Sequence, residues 1–426
     1  MEANLSLAVA EEKDRVKYGK ILVWASFFFY VLMMGSKNVF TAEIVTLQGV
    51  FGTSKTDTSL AMTYYFITYA IAQVVLSTLM GKLNLRIYLT VTGALSALVT
   101  VLLGVFKDIS ITYVLCAING ILQAGIYSGC MACISKYLPL NMLPFANRMM
   151  TIGTAVWGAL SYGIPPLFVG QGLWNVPFIL LGVLFFISAL FFFWAFNKMR
   201  AFPPVVGVKK DDGNKQEEKP FINLKGGKSM AFYFALMFFI TFLGNTMHYA
   251  IMNWIPNMMK DVFGMPDEYS ILITLIVPVV SVVGSVLVIS LCEKFTNIIW
   301  VSAAFLAIAV ISLVPMVFFF DKNIILSIVL IIIFVTATTG GRTVFTGILA
   351  FKMRTRINSG SYLAAINAIA AVCAGVIPPL AGKVIDAFTG VKGYGVTYLI
   401  TAIIGVIYLL TLVIFATWYA RKRKKY

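Results

Sequence analysis

Four ionisable side chains interrupt the long apolar runs of this chain and are its first candidates for chemistry: Lys37, Glu43, His248 and Arg342. A charge in hydrocarbon is costly, so each of them calls for a partner or a function. Lys37 lies a dozen or more residues into the first run and reads as an anion-binding cation facing a central cavity. The other readings are snorkelling to the outer surface or an ion pair with Glu43, although a six-residue spacing puts the two on different helix faces. Arg342, in Thr338-Thr339-Gly340-Gly341-Arg342-Thr343, stays charged under all ordinary conditions and needs an acceptor. No acid in the neighbouring runs is an obvious mate, which leaves an anionic ligand or helix-end carbonyls. The two glycines would allow close helix approach or local unwinding.

His248, the only histidine, shares a helical face with Asn245, Tyr249 and Met252. It reads as a structural residue, a ligand or a proton carrier. Glu43 reads as a proton-coupling carboxylate or, more simply, as a solvated residue near the outer mouth of the first run. Around these stand groups that would shape a pocket: Tyr65, Tyr69 and Gln73 on one helical stripe, Gln123 and Tyr127, Trp157 and Ser161, and Asn367. The five cysteines, Cys116, Cys130, Cys133, Cys292 and Cys373, lie in or beside apolar segments without metal-ligand spacing and read as packing thiols. No nucleotide-binding loop, catalytic triad or metal cluster is present in the sequence, so no enzyme activity, metal or cofactor is expected.

The elements that must carry these residues are membrane helices. The chain is 60% hydrophobic and only 12% charged, with a mean hydropathy of +0.90, too little polar surface for a soluble fold of this length. Apolar runs of 18 or more residues recur throughout, each long enough to cross a hydrocarbon core of roughly 30 Å. Lipid offers the backbone no partners, so these runs must be helices; barrel strands would be shorter and alternate in polarity. Twelve spans are expected, near 20–48, 58–80, 87–106, 110–137, 146–169, 174–196, 229–257, 269–292, 297–320, 323–349, 359–387 and 394–419. The first 20 residues are polar and charged and are expected to carry no cleavable signal peptide.

The net charge of +16 follows from topology rather than nucleic-acid binding. Of the 33 Lys and Arg, 25 fall on the side of the N-terminus and six on the other, with Lys37 and Arg342 inside spans. The excess places that side, with both termini, in the cytoplasm of a cell (inner or plasma) membrane protein. The basic tail Arg421 to Lys425 reads as an anchor to anionic lipid. The polar stretch 198–228 is too hydrophilic to span and reads as a cytoplasmic linker between residues 1–197 and 229–426.

The two parts repeat each other. Gly163-Ile-Pro-Pro-Leu167 in span five returns 213 residues later as Val376-Ile-Pro-Pro-Leu380 in span eleven, and by the same offset Lys37 and His248 hold nearly equivalent places. Two pseudo-symmetric six-helix bundles related by an axis along the membrane normal are the architecture of the major facilitator superfamily, which this pattern resembles.

Within that superfamily several segments resemble the organophosphate:phosphate antiporter family of glycerol-3-phosphate transporters. They are Lys37-Asn38, Gln123, Tyr127-Ser-Gly-Cys130, Gly163 to Leu167, His248-Tyr-Ala-Ile-Met-Asn-Trp254-Ile-Pro256, Ser359-Gly360 and Val384-Ile-Asp386. The resemblance implies a substrate between the halves. It also exposes departures: His248 stands where the family has a span-seven arginine, Gln73 at its span-two lysine, Gly158 at its span-five histidine. Ser36 takes the place of the span-one arginine, beside Lys37, so the bidentate clamp that suits a phosphate is not intact. The loop two–three signature is degenerate, read as Ser77, Gly81, Lys82 and Arg86, and Glu293-Lys294 stands in its loop eight–nine counterpart; these residues are implied to brace helix ends.

The expectation is a secondary transporter for a small organic anion, most simply a carboxylate, held between Lys37 and Arg342 with His248, Asn245 and the tyrosines giving hydrogen bonds, by anion exchange or proton symport, in a monomer. The alternatives are sugar-phosphate:phosphate antiport, export of amphipathic compounds, and a transporter-like sensor without flux. The charge count makes one direct prediction. A membrane-impermeant maleimide should label Lys107→Cys and Lys322→Cys in intact cells, and Lys136→Cys and Lys294→Cys only after lysis; the reverse pattern would invert the topology.

Overall fold

In the computed structural model the chain is helical throughout the described residues, 2–79, 83–204, 227–295, 297–349, 359–388 and 391–423. Gly81, Lys82 and most of the expected linker, 205–226, lie outside them. Helices α1 (Glu2–Ala42) and α2 (Ile44–Phe51) form span one, and α3 (Lys55–Leu79) and α4 (Leu85–Val105) form spans two and three. Helices α5 (Ile109–Gln123) and α6 (Ile126–Tyr137) form span four, α7 (Leu143–Gly163) and α8 (Pro166–Val169) span five, and α9 (Val176–Met199) span six. In the second half, α10 (Gly227–Met252) with α11 (Ile255–Phe263) is span seven and α12 (Asp267–Thr274) with α13 (Ile276–Lys294) is span eight. Helices α14 (Ile298–Phe319), α15 (Ile324–Thr343), α16 (Ser359–Ala387) and α17 (Lys392–Arg423) are spans nine to twelve, with a π-helical turn, Val344–Ile348, continuing α15. Among the described residues eleven spans are long and apolar enough to cross a membrane, and span five contributes the shorter apolar piece Val156–Val169.

The neighbour relations repeat between the halves. Span one packs on five and six, two on four, and three on six; seven packs on eleven and twelve, eight on ten, and nine on twelve. The apolar cores divide the same way. One cluster draws on residues from Met237 to Ala416 with only Ile44 from the first half, and two others lie wholly within the first half. The halves meet along two equivalent seams, span two against eleven and span five against eight.

Since lipid tails are as apolar as leucine, helices here associate by close packing of small residues and by hydrogen bonds. A Cβ on Gly120 would come within 2.2 Å of the Tyr65 carbonyl oxygen, and one on Gly284 within 2.2 Å of the Thr336 carbonyl oxygen. These two glycines set the closest approaches of span four to two and of span eight to ten, again equivalent pairs. Gly340 sits in the same crossing, where a Cβ would meet Phe305 at 2.5 Å. Gly340 thus serves close approach, one of the two roles the pair allowed, whereas a Cβ on Gly341 would meet only ordinary contact, 3.5 Å from the Ser302 carbonyl oxygen.

The double prolines act differently in the two halves. In span five, Pro165 and Pro166 end α7 and start the short α8; in span eleven, Pro378 and Pro379 stay inside the continuous α16. A proline removes the hydrogen bond to the carbonyl four residues back, so Pro379 frees the carbonyl of Gly375. That oxygen accepts the hydroxyl hydrogen of Thr63 from span two, across the seam between the halves. The break in span one at Glu43 also has its counterpart, at Asn253-Trp254 in span seven.

Gly120→Val tests the packing. Overfilling a tight crossing costs about 1–3 kcal/mol, so the purified variant should melt several degrees lower, and an unchanged melting temperature would show that the crossing is loose.

Candidate functional site

Lys37 projects from α1 into the first bundle with its ammonium 4.9 Å from the centre of the Phe66 ring, 5.7 Å from Tyr65 and 5.8 Å from Tyr69. Three rings of span two thus lend it their negative faces, an attraction that offsets only part of the desolvation cost of an ammonium. No carboxylate of the described residues lies in ion-pair distance of it, Glu43 included. Tyr69 and Tyr65 stack with centroids 5.9 Å apart, so the Tyr65–Tyr69 stripe forms one wall of this cage. Further along the stripe, Gln73 keeps a buried, unpartnered Oε1.

Gln123 and Tyr65, expected to shape the pocket, are instead committed within the bundle. Tyr65 OH donates to Gln123 Oε1 at 2.6 Å, and Gln123 Nε2 reaches Ser96 Oγ at 2.9 Å and Asn119 Oδ1 at 3.2 Å. Gln123 is 0% exposed, and with both ends of its amide satisfied it has nothing left for a ligand; its role is to join spans two, three and four. Tyr65 keeps only its ring face, towards Lys37. Tyr127 lies against Tyr30 with ring centroids 5.0 Å apart and planes tilted by 51°, and it remains 45% exposed. Trp157 Nε1 is buried without a partner, while Ser161 is occupied by the Trp157 carbonyl at 2.7 Å.

In the second half Arg342 stands at the last turn of α15, directly before the π-helical turn. Its guanidinium carbon lies 5.6 Å from the Tyr249 ring centre, and its Nε and Nη1 are buried with no hydrogen-bond acceptor. The hydroxyls around it are taken by helix packing: Ser285 meets Thr343 at 3.1 Å, and Ser302 donates to the Gly341 carbonyl at 2.9 Å. One turn before Arg342, Thr338 donates to the Phe334 carbonyl at 2.9 Å and meets His248 Nδ1 at 3.3 Å. With its one hydrogen spent on that carbonyl, Thr338 accepts from Nδ1, which leaves Nε2 as the uncommitted nitrogen of His248. Asn245 donates to the Thr241 carbonyl at 2.8 Å but keeps an unpartnered Oδ1. Arg342, His248, Tyr249 and Asn245 thus gather between spans seven and ten, as Lys37 and Tyr69 gather between spans one and two. Asn367 is exposed.

Glu43 corrects the sequence reading. It is not solvated at a mouth: it is 0% exposed and neither carboxylate oxygen has a partner. One feature escaped residue-type reasoning. Position 158, which the family resemblance equates with a histidine, has no room for a side chain, because a Cβ there would fall 2.3 Å from Pro278 across the span five–eight seam. Arg86 braces helix ends, donating to Asn197 Oδ1 at 2.7 Å.

A polar latch closes the molecule on the side away from the N-terminus. Lys55 pairs with Asp261 at 3.0 Å, and Asp386 Oδ2 accepts from Thr56 N at 3.0 Å and Thr56 Oγ1 at 2.9 Å. Thr46 donates to Asp267 at 3.0 Å, and Asn257 to Gln48 at 2.9 Å. Every hydrogen bond or ion pair between the halves among the described residues lies in this region or at Thr63 and Gly375.

A twelve-span duplicated bundle, latched at one end, with unpaired cations in both halves, is the geometry of an alternating-access carrier. The family model described as the Major Facilitator Superfamily matches residues 25–370. The chain belongs to that superfamily. Its fold is similar to a bacterial homolog of the human lysosomal transporter Spinster in an inward-facing and occupied conformation, at 16% identity and TM-score 0.71, over 96% of this chain and 97% of that one. It is also similar to a D-xylose-proton symporter, at 14% identity and TM-score 0.69, covering 93% and 97%. The nucleoside transporter NupG aligns at 13% identity and TM-score 0.65, covering 93% and 98%. At these identities the likeness is one of fold. Comparison with curated proteins gives no match. As a superfamily member the chain is a secondary transporter.

The latch predicts its own failure. With spin labels on Lys107→Cys and Lys322→Cys, Asp386→Asn should lengthen the mean distance between the halves by loosening the grip on Thr56. An unchanged distance distribution would show that Asp386 does not hold this end shut.

Proposed function

We propose that this superfamily member carries a small organic anion, most simply a carboxylate, between its two halves. One observation supports the reading above the others: among the described residues each half holds a cation without an anionic partner, Lys37 against rings and Arg342 with Nε and Nη1 buried and unaccepted. Buried donors without acceptors are rare in native proteins and ask for an explanation. A bridging anion supplies it, since a carboxylate has two oxygens with four acceptor sites to share between an ammonium and a guanidinium. The orphan Nε1 of Trp157 would give such an anion a further donor.

The departures from the organophosphate:phosphate antiporter pattern favour a carboxylate over a phosphate. One guanidinium and one ammonium replace a pair of arginines, and the span-five position is closed by Pro278. With the basic side in the cytoplasm, the latched face is the extracellular one. Halves 1–197 and 229–426, joined by 198–228, would then rock about the site in a monomer of the cell membrane. An anion drawn to both cations lowers the energy of the closed arrangement relative to the empty one, so the ligand itself drives closure.

Thermal stabilisation of the purified protein by a panel of carboxylates, sugar phosphates, inorganic phosphate and cationic amphiphiles tests this. A carboxylate should stabilise it, and Lys37→Gln and Arg342→Gln should each weaken binding at least thirtyfold, the ratio of about 2 kcal/mol for a buried charge contact. A response to phosphates alone would restore antiporter chemistry. Stabilisation by neutral or cationic compounds that survives both substitutions would reject the anion reading.

A further inference from the structure

Glu43 occupies the single residue between α1 and α2, and neither its position nor its chemistry is used by the anion site. Its backbone holds the break together: its N–H donates to the Val39 carbonyl at 2.9 Å, and its own carbonyl accepts from Thr46 N and Leu47 N at 2.9 Å each. Its side chain has no such support. The adjoining residues Ala42 and Val45 belong to a small apolar cluster with Tyr162 and Val169 of span five and Ile271 of span eight, against which Leu275 packs. This cluster is a bridge between the halves, because Ile271 and Leu275 come from the second half and the others from the first. The break that carries Glu43 is therefore flanked by a seam between the halves, and the Glu43 side chain is 0% exposed.

Among the described residues no neighbouring charge compensates it. On α1, Lys37 lies about 9 Å back along the axis and rests on the span-two rings. From α3, Lys55 is paired with Asp261 of α11, and Asp57 accepts from Ser54. From α11, Lys260 is paired with Asp267 of α12 at 2.8 Å. Also on α12, Glu268 lies against Gly170 and Tyr269 is exposed. From α7, Tyr162 is the one titratable group in the same apolar cluster. None lies in hydrogen-bond or ion-pair distance of the Glu43 oxygens, both of which are buried. An isolated carboxylate anion in such surroundings is prohibitively costly, whereas a carboxylic acid is tolerable.

We propose that Glu43 is a proton-binding site through which closure of the latched face takes up one proton. In the open arrangement, separation of Ile271 and Leu275 from Tyr162 and Val169 admits water to the carboxylate, which ionises. As the seam closes, one proton from the solution on that face binds a Glu43 oxygen, and the neutral acid is sealed among apolar side chains. Reopening to the same face releases it. The conformational equilibrium is thereby linked to the pH of that face, with acid favouring the closed arrangement.

The test needs no substrate, so it stands apart from the anion reading. Distances between spin labels on Lys107→Cys and Lys322→Cys are measured in nanodiscs between roughly pH 5 and 8, for the native residue, Glu43→Gln and Glu43→Asp. With Glu43 present, the closed-to-open ratio should fall as pH rises, by up to about tenfold per pH unit for one linked proton. Glu43→Gln, neutral and nearly isosteric, should stay closed throughout, and Glu43→Asp should regain a pH response. Infrared spectra of the protein with native Glu43 supply a second readout: the closed form should show the carbonyl stretch of a buried carboxylic acid, absent from Glu43→Gln. A closed population independent of pH, a Glu43→Gln variant that tracks the native curve, or no such band would each overturn the proposal.

Discussion

Hydrocarbon withholds both water and counter-charge, and this constraint organises the whole molecule. Backbone groups answer it by forming helices, and polar side chains by bonding to carbonyls of their own or adjacent helices, as Ser302 and Thr338 do. Some groups are left without an answer among the described residues, and Lys37, Glu43, Trp157, Asn245 and Arg342 are the ones that the anion and proton readings would answer. An unsatisfied group is expensive in lipid, so their retention marks where the molecule expects something from outside itself.

The duplication supplies the frame but not the chemistry. Helix neighbours, close glycine crossings and the breaks in spans one and seven repeat between halves, while the charged residues do not. Lys37 leans on three rings of span two, whereas Arg342 leans on Tyr249 of span seven and carries its own hydroxyl-lined crossing. Symmetry is kept where packing and motion demand it and abandoned where a ligand that is not itself symmetric must be held.

Much of this was legible in the residues. Span count follows from hydropathy, because twenty apolar residues in lipid have one structural solution, and the repeat follows from the double prolines at one offset. Lys37 and Arg342 stood out because charge inside an apolar run is conspicuous at any register. Gln123 and Tyr65 were harder to place: their types suit a pocket, but whether an amide faces inward or a neighbouring helix depends on rotation angles that a period of 3.6 residues leaves undetermined within a broad stripe. Glu43 was read as solvated because its place near the end of its run suggested a mouth; its burial, beside residues that pack on Ile271 of span eight, depends on contacts more than two hundred residues away in sequence. The closure of position 158 by Pro278 has the same cause and no local signature.

The Thr63–Gly375 bond shows how a defect becomes a fastening. An intact helix already engages its main-chain acceptors with its own N–H groups, so a neighbour must share a carbonyl that is in use. Span eleven, by carrying Pro379, holds one acceptor in reserve, and span two claims it. Because the acceptor is backbone, the clasp is indifferent to the side chains lining the seam and can persist while they diversify. It is also reversible at little net cost: when the halves part, water can take the place of the threonine on a carbonyl the helix cannot reclaim. The weakest point of one helix is thus the place where the two halves are fastened.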